Sequence, residues 1–182
     1  MNHGLFAIPL AFALSVPAAS REEQSAAYTF LTDSSGIIRI ADNGATSEPE
    51  FLKPEPPTPW VRSVVRELTS GKYDWAMGED SASLASGATG IPSDPVPQGQ
   101  IRVAFRQIGQ SDHRLLVISN GYDRALAYRA YIRVKGKDQY TDVCTVMPGM
   151  HAFEHWPYAA DAITLVDLRL ETWRDGQPPR CE

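Results

Sequence analysis

The densest set of chemically capable side chains in this sequence is Met147-Pro148-Gly149-Met150-His151-Ala152-Phe153-Glu154-His155-Trp156-Pro157. Two of the four histidines and two of the four methionines fall in it. Imidazole suits zinc and copper, and thioether sulfur adds a preference for soft copper(I). A carboxylate set between two imidazoles can also act as a base toward metal-bound water. Metal chemistry is therefore the first possibility to weigh.

His151-Ala152-Phe153-Glu154-His155 spells His-x-x-Glu-His and so resembles the signature of inverted zinc metallopeptidases. The resemblance implies His151 and His155 as zinc ligands on one helix face, Glu154 as the base, and Glu171 as a poor third ligand. The flanks oppose it. Pro148-Gly149 precede the motif and Pro157 follows it, leaving room for about two helical turns at most. No catalysis is expected here. A second reading makes Met147, Met150, His151 and His155 a copper(I) site on a loop, loosely similar to the Met/His sites of periplasmic copper carriers, though without their paired spacings. The plainest reading is a loop between strands, with Met150, Phe153, Trp156 and Tyr158 covering one end of the fold. That loop, with no cofactor, is the expectation; copper or zinc is the alternative.

A second candidate surface is cationic. Arg102 and Arg106 alternate with apolar residues on one stretch, and Arg129 and Arg133 do so on another, with Lys135 beyond. Aligned strands would join them into a basic face for an acidic partner, although an ordinary solvated sheet face accounts for the same residues. Other chemistries lack their signatures: there is no Gly-x-Ser-x-Gly elbow, no phosphate-cradling glycine loop and no calcium loop. A net charge of −5 argues against nucleic acid as a partner.

The elements that must position these residues read mainly as strands. Residues 26–40 look like a hairpin, with Tyr28 and Phe30 alternating before Asp33-Ser34-Ser35-Gly36 turns the chain. A proline-rich linker occupies 42–59. One helix follows, capped by Thr58, opened by Pro59 and stopped by Gly71. Its apolar face is Val61, Val64, Val65 and Leu68, and Arg62, Ser63, Arg66 and Glu67 form its wet side. Residues 78–99 read as a flexible loop. Strands are expected at 101–106, 114–118, 126–134, 140–147 and 163–170, with Asn120-Gly121 and Gly136-Lys137-Asp138 as turns between them. Hydrophobic parity switches between Leu165 and Val166, the mark of a bulge or of burial on both faces. The fold class is mainly β: a small antiparallel β-sandwich, immunoglobulin-like in architecture, with one short helix in the N-terminal half.

The first nineteen residues carry an apolar run, Leu5 to Val16, ending at Pro17-Ala18-Ala19. They read as a secretory signal, with residues 20–182 as a single β-rich domain. Export permits a disulfide, and Cys144 and Cys181 are the only two cysteines. Pairing them stabilises the fold by about 4 kcal/mol in the chain-entropy model. The expectation is a periplasmic or secreted, non-enzymatic binding or envelope-associated interaction module. Its partner would be a protein or envelope component, with no transmembrane segment left after signal cleavage. A periplasmic metal-binding protein is the competing class.

Overall fold

Alternating apolar residues become strands almost everywhere the sequence places them. The computed structural model describes residues 26–69, 94–174 and 176–181. The apolar leader at 1–19 and most of the stretch 78–99 lie outside the described residues. In chain order the elements are β1 (Ala27–Leu31), β2 (Ser34–Ile38), β3 (Glu50–Phe51), helix α1 (Pro59–Thr69), β4 (Ile101–Gln107), β5 (Arg114–Asn120), β6 (Ala125–Val134), β7 (Lys137–Thr141), β8 (His151–Trp156) and β9 (Ala162–Glu171). They form two sheets with antiparallel pairing throughout, ordered β1-β9-β6-β7 and β3-β2-β4-β5-β8. This is a small β-sandwich with one helix among the described residues.

The inner faces meet as period-2 patterning requires. Phe30, Ile132 and Ile163 from the four-stranded sheet pack with Ile38, Val103, Phe105 and Ile118 from the other, all fully buried or nearly so. A smaller core lies outside the five-stranded sheet. There Trp60, Val61 and Val64 of α1 rest on Leu115, Val117 and Phe153. Strand β5 is covered on both faces, which is why every one of its residues is buried. Thr58 caps the helix as expected: its hydroxyl oxygen accepts the Val61 N–H at 3.1 Å. Ser63, expected on the wet side, is buried and donates its hydroxyl proton to the Trp60 carbonyl at 2.7 Å.

Two expected turns are crossings between sheets. β1 and β2 do not pair, so residues 26–40 are not a hairpin. Asp33, left-handed at φ 64°, carries the chain across, and its carboxylate accepts the Gln107 N–H at 3.0 Å. Asn120-Gly121 likewise passes from β5 in one sheet to β6 in the other. Gly121 is needed there for space: a Cβ would sit 1.7 Å from the Pro97 carbonyl oxygen. The β6–β7 hairpin forms, but its turn is Lys135-Gly136, both at positive φ: Lys137 and Asp138, expected in the turn, already pair in β7, which ends at Thr141 and does not run on to 147.

The parity switch in β9 is a bulge. Ala127 opposes Arg169 and Arg129 opposes Val166, so one residue of β6 faces two of β9. Asp167 takes the strained position at φ 55° and accepts hydrogen bonds from Arg129. The cysteines pair as expected, and the Cys144–Cys181 disulfide fixes the C-terminal tail beside the segment after β7. No helix of the described residues is long and apolar enough to cross a membrane.

Candidate functional site

The histidine-rich segment is mostly a strand, contrary to its reading as a connecting loop. Gly149, at φ 65°, closes a turn, and residues 151–156 then pair with β5 as the edge of the five-stranded sheet. Tertiary pairing supplies what local propensity could not, while the flanking prolines exclude a helix. In a strand, successive side chains alternate. His151, Phe153 and His155 take the outer face; Ala152, Glu154 and Trp156 turn inward. The two histidines stand about 13 Å apart along the strand, with Glu154 on the other side of it. The peptidase arrangement needs all three on one helical surface, so it is not formed. Met147 and Met150 lie in the preceding turn, half-buried. Among the described residues no group of three or more His, Cys, Asp or Glu could hold a metal ion.

His151 anchors a different site. Register aligns Arg102 of β4, Ser119 of β5 and His151 of β8 in one row across the sheet. Above the row lies a cleft of about 320 Å³ roofed by the start of α1, the 55–58 segment and residues 94–97. The bonding around His151 fixes its tautomer. Its Nε2 is 2.9 Å from the Asp94 carbonyl oxygen, which can only accept, so Nε2 carries the proton. Nδ1 is then bare and accepts the Ser119 hydroxyl at 2.8 Å. Burial holds the imidazole below its usual pKa, opposed in part by the Asp94 carbonyl. Trp60 lies against the ring, with centroids 4.4 Å apart. Thr58 joins the roof together, donating to the Asp94 carboxylate at 2.6 Å while capping α1.

The open side of the cleft is cationic. The Arg102 guanidinium meets the Glu55 carboxylate at 3.3 Å, and Arg106 donates to the Glu55 carbonyl at 2.6 Å. Burial lowers the Arg106 pKa and the Arg102 charge adds to that; Asp33 and Glu55 pull the other way. Each guanidinium is a fork of five donors, so both have N–H groups to spare. The Glu55 side chain stays 65% exposed.

The other two arginines do not contribute. Arg129 and Arg133 lie on β6, in the opposite sheet, where they pair with Asp167 and Asp138. A single basic face built from Arg102, Arg106, Arg129 and Arg133 does not exist, because β4 and β6 never share a sheet.

Sequence reasoning missed Ser119, Asp94 and Trp60. Trp60 had a signal, since it stands four residues before Val64 on the apolar stripe. Ser119 and Asp94 had none, because only the strand register and the chain's return over the sheet bring them to His151. Models of known families, curated proteins and solved structures give no match to this chain.

Proposed function

We propose that this protein is an exported binding module that holds a carboxylate- or phosphate-bearing small molecule in the cleft beneath α1. The observation that carries the reading is the Arg102–Glu55 contact. A surface ion pair of this kind contributes little, so an incoming anion can take the place of Glu55 on the same guanidinium at small cost. The fork geometry of arginine matches carboxylate and phosphate oxygens, and Arg106 stands ready as a second donor. Ser119, its proton committed to His151, offers lone pairs to a donor on the same ligand. A cleft of this volume accommodates a molecule of about ten heavy atoms. The apolar leader and the disulfide support placing it in the periplasm or outside the cell. A binding or envelope-associated role is the reading we adopt for it there.

Succinate and inorganic phosphate, titrated separately by heteronuclear NMR, test it. One of them should shift backbone resonances of Arg102, Ser119 and His151 in a saturable way, and Arg102→Gln should abolish the effect. Shifts scattered over the surface, or none at all, would remove the proposal.

A further inference from the structure

A pair of imidazoles lies elsewhere on the five-stranded sheet, away from the cleft. His155 Nε2 and His113 Nδ1 are 3.0 Å apart, with ring centroids at 5.0 Å and planes inclined by 56°. His155 comes from the edge strand β8, opposite Leu115 of β5, and His113 immediately precedes β5. Both rings are half-buried. We propose that His113 and His155 chelate one divalent transition-metal ion of the imidazole-preferring kind, zinc or copper(II), with water completing its coordination.

The spacing fits. Two nitrogens each about 2.05 Å from one metal are about 2.9 Å apart at a right angle and about 3.3 Å apart at the tetrahedral angle. The observed separation falls within that interval, and both rings must turn off the line between the nitrogens for their lone pairs to meet at one ion.

Both ligands stand on braced backbone, and preorganisation lowers the entropy cost of binding. The His113 carbonyl accepts the Ile108 N–H at 3.0 Å, closing the β4–β5 turn, and the His113 N–H donates to the Ser111 hydroxyl at 3.2 Å. Arg114 Nη1 donates to the carbonyls of Asp112 and His113 at 3.0 and 3.2 Å, while its Nε reaches the Ala160 carbonyl at 2.9 Å. On the other side, six register pairs hold β8 against β5.

The proton shared by the pair need not leave the protein when a metal binds. In the metal-free pair one ring donates its proton to the other. With His113 Nδ1 as the donor, binding moves that proton to His113 Nε2 and leaves both inner nitrogens bare, with no net proton released. The ligand set shares only His155 with the Met147, Met150, His151 and His155 grouping considered from sequence. His151 is taken, since each of its ring nitrogens already has a partner.

Zinc(II) titrated into the protein without an affinity tag is the test, read by calorimetry and by the imidazole ¹⁵N resonances. One equivalent should bind, and His113 Nδ1 and His155 Nε2 should shift together while the His151 nitrogens hold still. His113→Gln and His155→Gln should each lower the affinity by at least about tenfold. The Met147→Leu/Met150→Leu variant should bind like the parent. No uptake of zinc, or uptake that moves only one of the two rings, overturns the proposal. The ring resonances are read in the parent itself, so a variant that folds poorly does not blunt the test.

Discussion

Ser119 donates its hydroxyl proton to His151 Nδ1 at 2.8 Å, across the β5–β8 pair, and both residues are buried. That direction is imposed from the far side of the ring, where the Asp94 carbonyl claims the only imidazole proton. One hydrogen-bonded line thus runs from the middle of the sheet to the segment that roofs the cleft.

Replacing Ser119 with alanine leaves a buried imidazole acceptor without its donor. Such a loss costs about 1–3 kcal/mol. The urea midpoint of Ser119→Ala should fall accordingly, and His151 should stay protonated at Nε2 by ¹⁵N NMR. An unchanged midpoint would mean that water replaces the hydroxyl and that the bond does little for the fold.

Glu154 turns inward from β8 and accepts the Cys144 N–H at 2.9 Å, beside the disulfide. Burial raises its carboxyl from 4.5 to about 7, with the Asp142 charge adding and the Cys144 bond opposing. The folded chain therefore holds this proton more tightly than the unfolded chain. Its stabilisation is complete below pH 4.5 and is lost as pH rises through about 7. His155 has the opposite sign: the stability it preserves above 6.5 is lost as pH falls toward about 4. The two slopes oppose each other across mildly acidic pH. Glu154→Gln should remove one of them, leaving a variant more stable than the parent at about pH 8 and one whose stability falls more steeply on acidification. Urea unfolding over a pH series reads both effects, and parallel curves for parent and variant would contradict the assignment.

Tyr128 presents the inverse case to Ser119. Its hydroxyl is buried in the main core with no hydrogen-bond partner among the described residues, and burial, then Glu154, raises its pKa well above the ordinary value. Tyr128→Phe removes an unsatisfied group and changes little else. Stability should hold or rise by about 1 kcal/mol in thermal or urea unfolding. A clear loss would show that the hydroxyl has a partner in solution.

Gly121 tolerates no side chain. With the Pro97 carbonyl oxygen 1.7 Å from the position of a Cβ, Gly121→Ala must push residues 97–100 away from the β5–β6 crossing. Overpacking of this kind costs about 1–3 kcal/mol. Because residues 94–97 also roof the cleft, His151 and Ser119 resonances should move as well. Movement confined to residues 120–122 would show the roof to be independent of the crossing.

Most of the strands, the bulge, the helix cap and the disulfide were legible in the sequence because each has a local signal; β8, read as a loop, was not. Leu126 to Val134 alternates, parity breaks in β9, Thr58-Pro59 opens the helix, and two cysteines have only each other. What was not legible is set by partners distant in sequence. Asp33 and Asn120-Gly121 carry ordinary turn residues, and nothing local says that the chain changes sheets there. The same limit explains the arginines: their spacing is right for outer faces, but Arg102 and Arg129 are separated by that unreadable crossing. The site suffered most. His151 was visible as a capable side chain, while its partners Ser119 and Asp94 come from other segments and bear no motif.

The most direct test of the account is a comparison of anion affinity in the parent, Glu55→Gln and Arg102→Gln by NMR titration with succinate and with phosphate. Removing the internal carboxylate should tighten binding of whichever anion the cleft takes, and removing the guanidinium should abolish it. Equal affinities in all three proteins would contradict the claim that Arg102 is the anion-binding centre of this fold.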